Sequence, residues 1–556
     1  MMKPRMPLGD FLVAYLRQLG VTHLFGIPGD LVMRLFLRFG RPRGLHIVTM
    51  SHEPGVGFAA DGYARATGRI GVVCVTYGAG GHNMVNPVAG SFAERVPVLV
   101  ISGGPGEEER KLGTLIHHQA KEIESQLHIY RELTCQARVI DDAARAADDI
   151  DEVVRAMWAD RRPGYLEIHR DMVDCIIDVP ARILEWNGRL PERHSDRRKV
   201  REAARETAAC LNAARAPMVI AGIECHRFRL TRELLRLLER TGAPCVTTVL
   251  AKGAIPIDHP QHMGVYIGAI SPRPIRARVD RADVVLNLGT LLTDMNLMMR
   301  EPTFPQEHAI SAVDDRVEVS FHAYDRVTLR DFLTALGRLK LKRHRERVVY
   351  ADNLRPQQSG LRRAIRVSDV LWEVNRFLRG KRNHIFVAES GDALLAGLDV
   401  RVEGPTGYFA QGLYASMGFG VPGAIGAQIG TGRRPLVMCG DGAFQMTGQE
   451  IAQAPRHGAN PIVLLLNNAG WNIFRPVADR KDLLDLPQWP YAELAAGWGG
   501  WGVRVDTVGA LRDALAEAGR RDTFAIVETI IDPDDHSPVA RKYIAASLRK
   551  GAAARR

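Results

Sequence analysis

The chain has little cysteine and no paired cysteine motif. Its seven cysteines stand singly at positions 74, 135, 175, 210, 225, 245 and 439 among 556 residues. This spacing excludes the disulfide framework of a small secreted domain and a zinc site built from C-x-x-C pairs. We therefore expect reduced thiols, most of them buried.

Long apolar runs are missing as well. No stretch reaches the ~18 apolar residues that a transmembrane helix needs. The first residues also lack the apolar centre of a secretory signal. We expect a cytoplasmic location and no membrane partner.

Negative charge is in the minority, and the formal net charge is +11 at pH 7. The positive excess is diffuse and mostly arginine. Its denser clusters, Lys340 to Arg347 and Arg541 to Arg556, lack the interleaved aromatic residues of nucleic-acid-binding surfaces. A solvated surface is the usual role of such charge runs, so we expect no nucleic-acid partner and keep a binding module only as an alternative.

Nucleotide-binding loops are absent or out of context. The chain has no Walker A motif. Gly418 to Gly423 matches the letters of a dinucleotide fingerprint, but the motif should follow a strand directly and be followed by an acidic residue about 20 positions on. The segment before it is broken by glycine, and the next carboxylate is Asp441. A nicotinamide oxidoreductase therefore stays a rival hypothesis only.

The length and the alternation of apolar segments predict three domains. A chain of 556 residues fits about three domains of ordinary size. Charged, proline-bearing stretches at 181–200 and 339–366 are typical of linkers. Strand and helix signals alternate between them, which predicts three consecutive doubly wound α/β domains with parallel sheets at 1–185, 196–345 and 360–545. The central domain lacks a nucleotide signature, and we interpret it as structural, with an effector site as the alternative.

A Gly-Asp-Gly triplet and a distant Asn pair form the most informative motif. Gly440 to Gly442 and Asn467-Asn468 are separated by residues 443 to 466, which is 24 positions. The apolar runs Pro435 to Cys439 and Pro461 to Leu466 predict neighbouring parallel strands, joined by a crossover helix at Thr447 to Ala454. Asp441 and Asn468 then offer oxygen ligands that suit Mg²⁺ with a phosphate. Alone, the triplet would be an ordinary turn.

A glutamate lies at another strand-to-helix junction. Leu45 to Met50 predicts a strand, Gly55 to Ala66 predicts a helix, and Glu53 lies between them. A glutamate at a helix start usually complements the helix dipole. The residue alone does not decide between that role and a catalytic one.

Together these motifs resemble those of the thiamine diphosphate enzymes. The resemblance implies that Asp441, Asn468 and the Gly470 carbonyl hold the metal. It places Gly440, Gly442 and Ala443 at the diphosphate. Glu53 would contact the aminopyrimidine ring of the cofactor.

Longer segments resemble one branch, the 2-oxo acid decarboxylases that act on pyruvate, indolepyruvate or phenylpyruvate, and the phenylpyruvate subgroup most closely. The likeness runs from about Leu8 to Val539 and includes Phe25-Gly-Ile-Pro-Gly-Asp30 and Leu115-Ile-His-His-Gln119. It implies that Asp30, His117 and His118 line the active site. No further His or Cys lies near the histidine pair at zinc-ligand spacing, so acid–base work is the better explanation of it.

Further cofactor contacts follow from the same resemblance. Met417 would support the bent cofactor, and the Ala415 carbonyl would contact the aminopyrimidine. Ser390, Gly391 and Asp392 would face the diphosphate. Leu394 stands where pyruvate decarboxylases carry a tryptophan, which favours a larger 2-oxo acid.

One position departs from the family pattern. Pyruvate and indolepyruvate decarboxylases carry a catalytic glutamate six residues after the metal-binding Asn, where this chain has Phe474. We expect Ile473 and Phe474 to form a drier wall around the substrate carboxylate. Proton transfer would then depend on Asp30, the histidines or water.

The resemblance thus implies a thiamine diphosphate- and Mg²⁺-dependent decarboxylase that converts an aryl or bulky 2-oxo acid to an aldehyde and CO₂. A carboligase forming 2-hydroxy ketones is the alternative, because slow proton delivery would let a second carbonyl compound react. The first domain would bind the pyrimidine and the last the diphosphate, across a subunit interface. A homodimer is then the minimum and a homotetramer the expected assembly.

Overall fold

Three large sheets, each from a separate stretch of chain, form the framework of the computed structural model. It describes residues 4–42, 44–297, 307, 309–404 and 406–554, with side chains up to residue 549. The three-sheet α/β fold class is confirmed, with one difference in the central sheet. Within the described residues, no helix has both the length and the apolarity needed to cross a bilayer.

The N-terminal sheet has six parallel strands in the order β3-β2-β4-β5-β7-β6. The strands of this region are β1 (Arg5–Pro7), β2 (His23–Gly26), β3 (His46–Val48), β4 (Gly71–Val75), β5 (Val98–Gly104), β6 (Gln136–Ile140), β7 (Gly164–His169) and β8 (Ile176–Asp178). Its helices are α1 (Leu8–Gln18), α2 (Met33–Phe39), α3 (Glu53–Thr67), α4 (Ala79–Asn83), α5 (Val85–Ala93), α6 (Glu107–Lys111), α7 (Ser125–Leu133), α8 (Ala146–Asp160) and α9 (Ala181–Leu184). β1 and β8 form a separate antiparallel pair.

Local sequence explains why Glu53 begins a helix. Pro54 lies in the first turn of α3, where a missing N–H costs nothing. The helix ends at Gly68, whose φ of 61° is left-handed and suits glycine. The predicted helix is confirmed and starts two residues earlier, at Glu53 itself.

The central sheet is mixed, in the order β11-β10-β9-β12-β13-β14-β15. Its strands are β9 (Pro217–Ala221), β10 (Cys245–Thr247), β11 (His262–Val265), β12 (Val284–Leu288), β13 (Ala309–Val313), β14 (Arg316–Val319) and β15 (His322–Asp325). The helices are α10 (Arg197–Ala213), α11 (Ile223–Arg227), α12 (Thr231–Thr241), α13 (Arg273–Asp280), α14 (Asp294–Leu297) and α15 (Leu329–Leu336).

The last two strands of this sheet correct the prediction of a wholly parallel one. β13 pairs antiparallel with β14, and β14 pairs antiparallel with β15. Two-residue turns join them, with Asp314 at φ 60° and Ser320 at φ 54°. So short a connection permits only an antiparallel pair, because a parallel strand needs a long crossover.

The C-terminal sheet has six parallel strands in the order β17-β16-β18-β19-β21-β20. They are β16 (His384–Ala388), β17 (Tyr408–Ala410), β18 (Arg434–Gly440), β19 (Ile462–Asn467), β20 (Trp501–Val505) and β21 (Ala525–Ile530). The helices are α16 (Val367–Leu378), α17 (Asp392–Gly397), α18 (Gly420–Thr431), α19 (Asp441–Thr447), α20 (Tyr491–Gly497), α21 (Val508–Arg520) and α22 (Pro538–Ala554).

The connection between β18 and β19 differs from the prediction. A helix was expected at Thr447 to Ala454, but α19 begins directly at Asp441 and ends at Thr447. Two 3₁₀ segments, Gly448–Gln453 and Pro455–His457, complete the crossover. Thr447 has left the helical region, with φ −145°, and glycine follows it, so the α-helical hydrogen bonding stops there.

The chain groups into two compact units. The first comprises Met1–Glu192 together with Val421–Gly432 and Thr447–Ala459. The second comprises Arg193–Gly420, Arg433–Met446 and Asn460–Arg556, and thus holds both the central and the C-terminal sheets. Each predicted domain range contains one large sheet, and the exact boundaries stay a prediction.

Candidate active site

Two polar residues meet at the carboxyl edge of the C-terminal sheet. β18 and β19 are paired in parallel, with Gly440 opposite Leu466. Asp441 follows the first strand and Asn468 the second, so both lie at the same edge. Asp441 is 1% exposed. The predicted neighbourhood of these two residues is confirmed in the second unit.

Three potential ligand groups converge there. The side-chain amide of Asn468 lies 3.3 Å from Asp441 Oδ1 and 2.9 Å from the Gly470 carbonyl oxygen, and its NH₂ group donates to both when it is turned toward them. Asp441 Oδ2 is buried without a hydrogen-bond partner among the described residues. Carboxylate, amide and carbonyl oxygens are the ligands that a hard cation prefers, and a flip of the Asn468 amide would add its oxygen to this set. These residues therefore fit a magnesium ion.

Burial dominates the electrostatics of this carboxylate. It raises the pKa of Asp441 to about 6, although the backbone N–H groups of Gly442, Gly470 and Ala469 act in the opposite direction. A buried carboxylate of this kind is stabilised by a bound cation, since the ion replaces the lost solvation.

A cavity of about 220 Å³ opens beside this cluster. Most of the predicted cofactor and substrate residues of this region line it: Ser390, Gly391, Asp392, Met417, Gly440, Asp441, Gly442, Ala443, Asn468, Gly470, Ile473 and Phe474. Residues as far apart in the chain as Ser390 and Phe474 thus share one concave surface, as expected for a ligand site.

Two predicted residues lie elsewhere. Leu394 was expected at the substrate, but it is 3% exposed and packs in the apolar core of this unit. Its neighbour Ala393 lines the cavity instead, because successive residues of α17 face different sides of the helix. Ala415 is not among the residues that line the cavity, and its carbonyl oxygen accepts a 2.9 Å hydrogen bond from Ser390 Oγ.

The turn before α17 offers donors to the cavity. Gly391 has a φ of 85°, a conformation that favours glycine. Asp392 is the first residue of the helix, and burial raises the pKa of its carboxyl group. Its Oδ2 accepts a 2.9 Å hydrogen bond from the backbone N–H of Ser537. A helix start and a preceding hydroxyl suit a phosphate group.

The first unit holds a second cluster of polar side chains. His117 Nε2 lies 2.5 Å from Asp30 Oδ2, and His118 Nε2 lies 3.7 Å from Asp30 Oδ1. The two imidazole rings have centroids 4.5 Å apart. Thr76 Oγ1 donates to Asp30 Oδ1 at 3.1 Å. The three residues predicted to act together are therefore in contact.

The backbone at His118 adopts a left-handed conformation. His118 has a φ of 69°, which a loop permits and a strand does not. Two adjacent imidazoles can therefore reach one carboxylate. Burial alone would raise the pKa of Asp30, but hydrogen bonds from His117, Leu31 and Thr76 lower it. The ligand atoms of the trio lie within 4.8 Å of one another, close enough for a metal ion as well as for proton transfer.

Glu53 has its own hydrogen-bond partner. Asn83 Nδ2 donates to Glu53 Oε2 at 3.2 Å, and His52 Nε2 lies 3.6 Å from the same oxygen. The Glu53 side chain is 16% exposed. Its position at the start of α3 is thus fixed while part of the carboxylate stays open to a ligand.

Comparison with known protein families covers all three regions. Residues 6–129 match the thiamine pyrophosphate enzyme N-terminal TPP binding domain, residues 204–331 the central domain and residues 391–529 the C-terminal TPP binding domain. The chain is 36% identical over 558 residues to indole-3-pyruvate decarboxylase from Azospirillum brasilense, covering 99% of this chain and 100% of that protein. The chain belongs to the thiamine diphosphate-dependent 2-oxo acid decarboxylases.

The chain is also similar to more distant members of this decarboxylase family. Pyruvate decarboxylase 1 of Oryza sativa subsp. indica is 27% identical over 550 residues, with 95% of this chain and 89% of that protein covered. An alpha-keto-acid decarboxylase of Mycobacterium tuberculosis is 29% identical over 541 residues, with 95% of each covered. The predicted family, the enzyme class and thiamine diphosphate as the cofactor are therefore confirmed, and Mg²⁺ stays a prediction.

Sequence reasoning missed several residues that shape the decarboxylase sites. Trp471 lines the cavity, and a Cβ on Gly442 would lie 2.2 Å from its Nε1. Position 442 thus needs glycine because the Trp471 indole packs against it. We had expected glycine there because of a bound phosphate. Glu389 is buried, and its Oε2 accepts from Gly420 N at 2.6 Å. Burial raises the pKa of Glu389 to about 7.

A buried network under the histidine pair was also missed. Gln126 Oε1 accepts from Gly78 N at 2.7 Å, and its Nε2 donates to Ser102 Oγ at 2.8 Å and Tyr165 Oη at 2.6 Å. The Tyr165 hydroxyl donates to Glu167 Oε2 at 2.8 Å. Gly78 packs so closely that a Cβ there would lie 2.0 Å from the His118 carbonyl oxygen. No local pattern marks Gln126, because its partners come from distant parts of the chain.

Proposed function

We propose that the protein decarboxylates an aryl or similarly bulky 2-oxo acid, of the phenylpyruvate or indolepyruvate type, to an aldehyde and CO₂, using thiamine diphosphate and Mg²⁺. The convergence of Asp441, the Asn468 side-chain amide and the Gly470 carbonyl beside an apolar-walled cavity carries the proposal. The 36% identity to an indole-3-pyruvate decarboxylase supports the substrate class.

Residues of the second unit would hold the cofactor. Asp441, Asn468 and the Gly470 carbonyl would bind Mg²⁺. Six further residues would surround the diphosphate: Ser390, Gly391, Asp392, Gly440, Gly442 and Ala443. Met417, on the cavity wall, would support the central part of the cofactor. Bound thiamine diphosphate supplies the electron sink for loss of CO₂.

Residues of the first unit would carry out the proton transfers. Glu53, held by Asn83, would hydrogen-bond the aminopyrimidine ring. Asp30, with its lowered pKa, would stay ionised and would hold the imidazole of His117 in place through their hydrogen bond. Such a pair can deliver a proton to the carbon that loses CO₂ and can accept one from a hydroxyl group. His118 would act beside it.

Ile473 and Phe474 would form the apolar part of the substrate wall. Phe474 is 56% exposed in the chain and borders the cavity where the family glutamate would stand. An apolar wall disfavours the substrate carboxylate more than it disfavours neutral CO₂. This difference would favour decarboxylation and would accommodate an aromatic side chain.

The absence of a carboxyl group at position 474 also favours carboligation as the second candidate. If protonation is slow, a second carbonyl compound has time to react at the same carbon. We would incubate the holoenzyme with a series of 2-oxo acids, with and without an acceptor aldehyde, and identify the products. Aldehyde from phenylpyruvate or indolepyruvate at a higher kcat/KM than from pyruvate would support the proposal. Preference for pyruvate would contradict the substrate class, and 2-hydroxy ketone as the main product would favour the carboligase.

The active assembly would be at least a homodimer, and a homotetramer is expected, in the cytoplasm. Glu53 of one subunit would serve the cofactor held by Asp441 of the other. Co-expression of Glu53→Gln and Asp441→Asn chains tests this arrangement. Each variant alone should be nearly inactive, whereas random pairing in a symmetric dimer would restore about a quarter of the activity. If mixed chains stay as inactive as the parents, each site is built from one chain.

A further inference from the structure

A second and larger cavity lies within the second unit. It has a volume of about 810 Å³ and is lined by residues from the central and C-terminal regions. Small-molecule sites usually have volumes of about 300–1,000 Å³. None of the residues that we assign to the cofactor or the substrate lines it, so it is a separate cavity.

The wall of this cavity is strongly basic. It carries eight arginine and lysine side chains and only two carboxylates. Both carboxylates are already paired, Asp369 with Arg363 and Asp352 with Arg401. Within the described part of the chain, six of the cations form no ion pair with a carboxylate: Arg273, Arg276, Arg355, Arg366, Lys542 and Arg549.

These charges lie close enough to affect one another. Burial lowers the pKa of Lys542, and the nearby Arg276 and Arg355 lower it further, against the effect of Asp399. Lys542 Nζ donates to the amide oxygen of Asn353 at 2.6 Å, which holds the ammonium in place. Mutual repulsion of ordered cations is compensated best by a ligand with several negative charges.

Helix starts and an aromatic ring complete the wall. The first turns of α13, α16 and α22 border the cavity, and helix N-termini favour anions. The indole N–H of Trp372 donates to the Arg355 carbonyl at 2.8 Å, which fixes the ring at the wall. A planar base can stack on such a ring.

We propose that this cavity binds a nucleoside di- or triphosphate, with its phosphates among Arg276, Arg355 and Lys542 and its base against Trp372. The site borders the cofactor cavity across the start of α16. Val367 lines the cofactor cavity, whereas the adjacent Arg366 and Ser368 line the basic one. The proposal concerns a ligand other than substrate and cofactor, and it stands independently of the proposed function.

Calorimetric titration of the holoenzyme, saturated with thiamine diphosphate and excess Mg²⁺, tests the proposal. ATP should bind saturably, more tightly than tripolyphosphate or adenosine alone, and without releasing the cofactor. The double variant Arg276→Gln/Arg355→Gln should weaken ATP binding by about tenfold or more, because two charge-assisted contacts are lost. The matched double variant Arg236→Gln/Arg338→Gln, at exposed positions outside the cavity, should bind ATP like the wild type. Trp372→Leu should remove the preference for ATP over tripolyphosphate.

A second measurement uses the unaltered chain and so does not depend on the folding of a variant. Arginine modification by phenylglyoxal, mapped by mass spectrometry, should be slowed by ATP at Arg273, Arg276 and Arg355. Protection at other arginines only, ATP binding equal to that of tripolyphosphate, or no saturable binding would overturn the proposal. So would full displacement of ATP by phenylpyruvate, since the cavity would then bind the substrate.

Discussion

The carboxylate of Glu450 accepts a 2.7 Å hydrogen bond from the backbone N–H of Ser51, a residue 399 positions earlier in the chain. Its other oxygen accepts from the N–H of His52 at 3.1 Å. Both bonds lie within the first unit and hold the two residues that precede Glu53. Glu53, for which we propose a catalytic role, is thus oriented from outside its own helix.

Replacement of Glu450 should impair the Glu53 site. Hydrogen bonds to a charged group are worth about 1.5–3 kcal/mol, so Glu450→Ala should lower kcat/KM by about tenfold to a hundredfold. Glu450→Gln should lower kcat/KM less, since the amide oxygen can still accept one of the two hydrogen bonds. Gln453→Ala is the matched control, because Gln453 Nε2 donates to the exposed Ser51 hydroxyl and not to the backbone before Glu53 in the described part of the chain. Equal activity of Glu450→Ala and Gln453→Ala, measured with saturating cofactor, would contradict the orienting role.

The contact between His117 and Asp30 should matter for turnover and not for cofactor binding. A positioned acid or base contributes about a hundredfold or more, so His117→Asn should lower kcat by at least that factor. Thiamine diphosphate affinity should stay unchanged, because the proposed metal and diphosphate ligands are intact. His128→Asn, at an exposed position on α7, serves as the control. A cofactor dissociation constant that rose in parallel with the loss of kcat would point to a structural role instead.

The buried Glu167 should make stability depend on pH. Burial raises its pKa from the usual 4.5 to about 7. Between these values the unfolded chain loses the proton while the folded chain keeps it, so the free energy of unfolding falls as pH rises and levels off above about 7. This contribution amounts to about 3 kcal/mol.

Urea unfolding at pH 5 and pH 8 checks this contribution. Glu167→Gln should remove it and leave a smaller difference between the two pH values than in the wild type. Glu185→Gln, at an exposed position, should leave the difference unchanged. An unaltered pH dependence in Glu167→Gln would show that other groups cause it.

Removal of the metal should release the cofactor. Asp441, Asn468 and the Gly470 carbonyl are the proposed metal ligands, and the metal would link them to the diphosphate. Dialysis against EDTA should therefore yield apoprotein, and Mg²⁺ should restore cofactor binding. Asp441→Asn should weaken thiamine diphosphate binding by about a hundredfold, since loss of a charged ligand costs ~3 kcal/mol. Asp513→Asn, exposed on α21, should not change it.

Introduction of the family glutamate should change the chemistry. Phe474→Glu places a carboxyl group at the cavity wall, so we expect a new ionisation in the pH profile of kcat and less 2-hydroxy ketone relative to aldehyde. Phe321→Glu provides a matched control, because Phe321 is 72% exposed in the turn between β14 and β15. An unchanged rate, pH profile and product ratio in Phe474→Glu would remove the basis for assigning a role to the apolar residue.

The sequence by itself determined the elements whose partners are close along the chain. A strand, a crossover and a second strand place Asp441 beside Asn468, since parallel neighbours end at one edge of the sheet. The Ala- and Gly-rich segment after Glu53 specifies its helix in the same way. The motifs Asp30 and His117-His118 were recognised through family resemblance, and the structure brings them into contact.

Only the tertiary structure decided which distant groups support these motifs. Gln126 reaches Gly78 across 48 positions, and Glu450 reaches Ser51 across 399. Leu394 packs in the core, and the Trp471 indole lies against Gly442, where a larger side chain would not fit. Six cations without an ion pair line the basic cavity. Such placements depend on how whole elements pack, and a local pattern of residue types carries no information about that packing.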